Sequence, residues 1–288
     1  MFAIYKREVK SYFDTMMGWI FIAFMMVVTG IYMFVYNLYY GYPYFGYTLY
    51  GIEFLYMIFI PLLTMRSMAE ERKVKTDQLL LTSPVSVTKI VMGKYLAMVT
   101  VLALALVPFL FAPVLISSYG NGSYLIDYST MLAFFLLGCV YIGVGMLISS
   151  LTESQIIAAA GTFAILLLLH LWPSLMNLLP SSAGSTAIGI VVMVTIVCLI
   201  LYYMTKNIVL ALSVEAVGCV ATAIVYLVNG DEMDGGLVSL LSQFDLSAAL
   251  TNFGYNHIFD IGGLILYLSL IFLTIFITVQ MIYKRRWS

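Results

Sequence analysis

Arg66–Ala97 reads RSMAEERKVKTDQLLLTSPVSVTKIVMGKYLA. It is the one polar stretch in the first half of an otherwise apolar chain, with six Lys/Arg and three Asp/Glu. RSMAEERKVK is helical by composition and too charged to remain in a bilayer. Thr76 suits a helix start, because its side-chain oxygen accepts from an orphan backbone N–H. Asp77 in the first turn complements the helix dipole. Leu79, Leu80 and Leu81 then make an apolar tip on a solvent-facing element. Ser83-Pro84 ends it, since proline cannot donate and restricts the residue before it. A second helix is expected to start near Ser86 and to carry Ile90, Val91, Lys94 and Tyr95 into the next apolar run. The stretch therefore predicts a short transverse helix with exposed leucines, held between two helices that continue into a membrane. Such a face fills a groove on another protein or lies on the chain's own membrane surface.

The rest of the chain supplies the membrane. Of 288 residues, 63% are hydrophobic and 9% charged, where a soluble domain carries roughly 25% charged residues. Mean hydropathy is +1.04. A span needs about 20 mostly apolar residues. About eight are expected, near 18–37, 49–66, 95–117, 130–151, 156–178, 187–205, 208–228 and 262–283. Basic residues collect on the cytoplasmic side. With the N-terminus inside, all thirteen Lys/Arg fall on that side and the C-terminal KRR cluster returns to it. The expected fold is an all-α polytopic membrane protein with both termini cytoplasmic. Residues 1–17 read as an amphipathic interfacial helix leading into the first span. They set Phe2, Ile4, Tyr5, Val9, Tyr12, Phe13 and Met16 against Lys6, Arg7, Lys10 and Asp14. The start has no signal-peptide pattern, so the first apolar run would act as a signal anchor.

Three outer connections remain. The first, 36–50, holds seven tyrosines, which suits either an interfacial belt or the lining of an exit path. The second, 118–129, is a short polar loop. The third, 229–261, has leucines at near-helical spacing and predicts short interfacial or re-entrant helices. Gly138, Gly143 and Gly145 permit close helix approach.

Catalytic signatures are missing. There is no phosphate-cradling loop, HExxH, CxxC or GxSxG motif, so neither a catalytic constellation nor a metal site is expected. Cys139, Cys198 and Cys219 lie in apolar runs and read as small packing residues. His170 and His257 read as interfacial side chains. The basic residues flank the membrane, which leaves no nucleic-acid surface. Glu215 is the ionisable residue deepest in an expected span. Such a group is a functional candidate by default: it lies on a substrate or proton path, or ties two helices through Ser213 or Thr222. Glu53 is read as reaching the outer interface.

The loop resembles the signature cytoplasmic region of type-2 ABC transporter permeases. The matching positions are Glu70, Glu71, Thr76, Leu79, Leu80, Pro84, Val85, Ile90, Val91, Gly93 and Lys94. The last outer segment and span, within 240–287, are similar to those of the gliding-motility-like branch. The resemblance covers about 1–165 and 240–287. Members usually have six spans, so 187–228 reads as an inserted helix pair. The resemblance implies a single permease domain with a coupling-helix loop at 67–94. It implies a separate ABC ATP-binding subunit that holds ATP and magnesium, with no cofactor in this chain. It also implies a second permease chain, identical or related, in the cell membrane. Substrate would be exported as ATP hydrolysis on the partner drives the coupling helix. The competing reading is an ion- or proton-coupled secondary transporter centred on Glu215. An intramembrane enzyme is disfavoured, since no pair of nucleophile and base is visible.

Overall fold

The computed structural model describes residues 1–76, 85–119, 122–179, 182–205, 208–228 and 234–287. Among these every regular element is helical. The chain divides into two compact units, Met1–His170 with Leu246–Ser288, and Leu171–Asp245.

The larger unit opens with α1 (Phe2–Asp14) and α2 (Met17–Met33), joined through Met16 in the left-handed region at φ 58°. A π-helical turn, Phe34–Tyr39, extends α2. The expected second span is not one helix. It is built as α3 (Gly46–Gly51), a turn at 52–54 and α4 (Leu55–Thr64), and the short α5 (Ala69–Val74) follows it. Then come α6 (Val87–Leu106), a 3-10 stretch at Val107–Phe111, and α7 (Ala112–Tyr119). The long helices α8 (Tyr124–Leu151) and α9 (Gln155–Met176) follow. The unit closes with α13 (Ser247–Gly254) and α14 (Ile261–Trp287).

Helix α8 is the centre of this unit, with α3, α4, α6, α13 and α14 packed around it. Lipid is as apolar as leucine, so helices in a membrane associate through close packing more than through water exclusion. The glycines of α8 provide that packing. A methyl on Gly138 would sit 2.6 Å from Leu102 and 3.0 Å from Tyr56. One on Gly143 would overlap Thr274 of α14, and one on Gly145 would overlap Thr64 of α4.

Among the described residues, five stretches are long and apolar enough to cross a membrane: Met17–Tyr39, Val87–Ser118, Tyr124–Leu151, Gln155–Met176 and Ile261–Lys284. They coincide with five of the expected spans.

The smaller unit takes the end of α9, then α10 (Ala183–Thr205), α11 (Ile208–Val228) and α12 (Gly236–Ser242). Shorter apolar stretches here are Ala183–Ile196 and Leu212–Ala223. Helices α10 and α11 pack along each other, with Gly218 facing Val194. Trp172 donates its indole N–H to the Leu241 carbonyl at 2.9 Å.

Candidate functional site

Elements that the sequence places at the base of the polar loop come together through one buried ammonium. Lys94 lies two turns into α6, and its side chain is only 2% exposed. Burying an ammonium is costly unless it is paired and hydrogen-bonded. Its Nζ lies 2.9 Å from Glu71 on α5 and 3.3 Å from Glu8 on α1. It also donates to the Ser67 carbonyl at 2.8 Å. Arg7 closes the circuit, its Nη2 reaching Glu8 at 2.6 Å and Glu71 at 2.9 Å. A single cluster thus joins the N-terminal helix, the segment entering the loop and the helix leaving it.

The surroundings fix these carboxylates. Tyr12 is buried and donates to the Leu63 carbonyl at 3.0 Å; burial pushes its phenol above the usual tyrosine range. Tyr5 and Thr100 hydroxyls meet at 3.0 Å, and Ile4 packs where a Gly93 side chain would stand. Arg66 grips Glu70 with both forks, Nε at 2.6 Å and Nη2 at 3.1 Å. That hydrogen bond holds the Glu70 carboxyl below its ordinary value. Arg7, Glu8, Tyr12, Arg66, Glu71 and Lys94 are among the residues lining a cavity of about 330 Å³.

Helix α5 is also tied to the end of α8. The Ser149 hydroxyl accepts from the Met68 and Ala69 N–H groups at 3.2 and 3.1 Å. It donates to the Met65 carbonyl at 3.2 Å. Arg72 donates to the Ser150 carbonyl at 2.6 Å, a cation on the negative end of α8. Lys75 then ends α5 in the left-handed region at φ 60°. The Lys75 N–H bonds Arg72 and the Thr76 N–H bonds Glu71, at 3.1 and 3.0 Å. This is a Schellman stop.

Among the expected loop residues, Glu70, Glu71, Thr76 and Lys94 line one cavity. The observed place of Thr76 is the stop of α5, where its hydroxyl faces the Glu71 carbonyl at 3.4 Å. Its expected service as a cap for a following helix involves Asp77, Leu79, Leu80, Leu81 and Pro84, which lie outside the described residues. Ser86, extended at ψ 141°, directly precedes α6. Val85, Ile90, Val91 and Gly93 stand at the foot of that helix, with Ile90, Val91 and Gly93 buried.

Two readings of single residues change. Glu53 is enclosed by protein: its side chain is 2% exposed, in the turn between α3 and α4. His170 is not a lone interfacial side chain, because its Nδ1 lies 3.8 Å from Glu53 Oε1. Glu215, in the smaller unit, accepts from Thr195 of α10 at 3.4 Å. It does join two helices, but the Thr222 hydroxyl turns back onto its own helix at Gly218 and Cys219.

The first outer connection is compact. Asn37 donates to the Tyr42 and Tyr44 carbonyls at 2.9 and 2.8 Å and accepts from Thr48 at 2.7 Å. Asp127 is buried in the first turn of α8 and accepts from the Phe45 N–H at 2.8 Å. Tyr42 stacks on Tyr47, and Tyr47 and Tyr50 meet Tyr255 edge-on.

Glu8 and Ser149 were not singled out by the sequence, and the partners Lys94 of Glu8 and Met68 and Ala69 of Ser149 are far along the chain. Glu53 and His170 carried a readable signal. Two ionisable residues of opposite tendency inside apolar runs tend to pair with each other.

Long apolar helices around a glycine-lined centre, with the charge gathered at their ends, define a polytopic integral membrane protein. The chain belongs to the ABC-2 family of transporter proteins: the model of that family, described as ABC-2 family transporter protein, matches residues 2–214. The protein is thus a permease component of an ABC transporter, and membership implies an ATP-binding partner. No curated protein matches the chain.

Proposed function

We propose that this chain is the membrane-spanning subunit of an ATP-driven exporter, and that the segment around 76–84 seats in a groove of a separate ATP-binding subunit. The observation that carries this reading is Lys94, buried against Glu71 and Glu8. A push on the loop meets α5 and α6 at the point where both are locked to α1. Bistable packed elements of this kind turn small displacements into rigid-body motion. ATP and magnesium sit on the partner. A second permease chain, identical or related, completes a central path across the cell membrane. The loop pattern and the terminal segment favour the gliding-motility-like branch, with α10 and α11 as its added pair. Glu215, bonded to Thr195, acts there as a tie between the pair, which argues against a secondary transporter centred on it.

Extraction of the tagged chain from its native membrane in mild detergent tests the class. An ATP-binding protein is expected to co-elute in stoichiometric amount and to hydrolyse ATP with magnesium. Elution of the folded chain without one would contradict the reading.

A further inference from the structure

Among the described residues, two buried carboxylates stand outside the coupling cluster: Asp127, which accepts from the Phe45 N–H, and Glu53. Glu53 Oε1 is approached at 3.8 Å by His170 Nδ1 on α9 and at 3.4 Å by the Tyr141 hydroxyl on α8. Tyr141 stands ~15 Å of helix rise from Leu151, and His170 ~22 Å from Gln155. Tyr141 and His170 lie within Tyr124–Leu151 and Gln155–Met176, each long and apolar enough to cross a layer about 30 Å thick. The other titratable side chains around them, among the described residues, are Tyr56 on α4, Tyr95 on α6, Cys139 on α8 and Tyr267 on α14. The Tyr56, Tyr95 and Tyr267 hydroxyls donate to the Phe134, Cys139 and Leu246 carbonyls.

Charge then decides the occupant. A carboxylate beside a neutral imidazole carries a net negative charge in an apolar setting, which is unfavourable. One added proton makes the set neutral overall, either as imidazolium and carboxylate or as imidazole and carboxylic acid. The proton belongs to the pair rather than to either residue. The His170 side chain is 32% exposed and Glu53 only 2%, so the histidine is the more accessible end of the pair.

We propose that Glu53, His170 and Tyr141 form a one-proton binding site, and that the bound proton seats α9 against the turn between α3 and α4. Helix α9 has little else to hold it there. Up to His170 its buried side chains are Ala158, Thr162 and Leu166, while Phe163, Ile165 and Leu168 are 42–50% exposed. Losing the proton leaves a net charge at the contact and loosens α9. This site stands on its own geometry and does not depend on the ATP-driven reading.

The chain has two histidines, so nitrogen-15 histidine labelling yields two imidazoles, with His257 as the internal reference. The experiment uses the full chain in nanodiscs, with carbon-13 glutamate carboxyls, titrated between about pH 4 and 10. The His170 and Glu53 signals are expected to change at a common proton concentration. In Glu53→Gln the His170 midpoint should move at least about tenfold in proton concentration, with His257 unmoved. Separate midpoints, or a His170 midpoint indifferent to Glu53→Gln, would overturn the proposal. Should Glu53→Gln fail to fold, His170→Asn read at the Glu53 carboxyl decides. A Glu53 transition unchanged in that variant overturns the site, and a displaced one supports it.

Discussion

Lys94 and Arg66 are both basic residues held by carboxylates, and they should respond differently to loss. Lys94 is 2% exposed, and its two carboxylates are 14% and 18% exposed. Lys94→Met removes the buried cation and leaves those carboxylates to the half-exposed Arg7, a change on the order of 3 kcal/mol. Arg66 and Glu70 are 25% and 37% exposed, and an exposed pair is worth under about 1 kcal/mol. Thermal unfolding of the two variants in one detergent should show a clear loss for Lys94→Met and little for Arg66→Ala. The Glu70 carboxyl is held below its ordinary value by the Arg66 hydrogen bond. Its contribution is therefore complete above the ordinary carboxylate range and is lost as pH falls through the lowered value. The gap in unfolding temperature between wild type and Glu70→Gln should be small and constant near neutrality and should close in acid. At this scale the sequence is legible where chemistry is local. Glu70, Glu71 and Lys94 are conspicuous in an apolar chain, but Glu8 became a partner of Lys94 only through packing across 86 positions.

Among the elements, the stop of α5 and the start of α6 follow from neighbouring residues, Lys75–Thr76 and Ser86. The interruption of the second span does not. Glu53 was visible in that apolar run, yet only its contact with α8 and α9 shows why the chain turns there. Ser149 gives the clearest test of how α5 is held. Ser149→Ala removes the acceptor for the Met68 and Ala69 N–H groups and should cost about 1 kcal/mol, the usual loss of a cap. Hydrogen exchange at 68–72 should rise with it. The α4–α8 crossing is tested by Gly145→Ala, whose new methyl would stand 2.9 Å from the Thr64 Cβ and Cγ2. Overpacking of that kind costs about 1–3 kcal/mol. A neutral result would mean that α4 and α8 are free to shift against each other.

For the whole molecule, composition and hydropathy show a membrane protein, and five of the expected spans coincide with long apolar helices. The family match, residues 2–214, runs through α10 and into α11, past the resemblance over about 1–165 and short of the one over 240–287. Long-range ties were not legible, because nothing in a single chain says which of several amphipathic faces meet. The central claim is that ATP-driven work enters through the leucines near 79–81 and reaches the membrane through the Lys94 cluster. Leu79→Asp with Leu80→Asp tests it most directly, by the amount of ATP-binding subunit that co-elutes with each folded chain. The double variant should unfold at the wild-type temperature and retain less than about a tenth of the partner, the loss expected when a central apolar anchor is removed. Retention of the partner at the wild-type level would contradict the account.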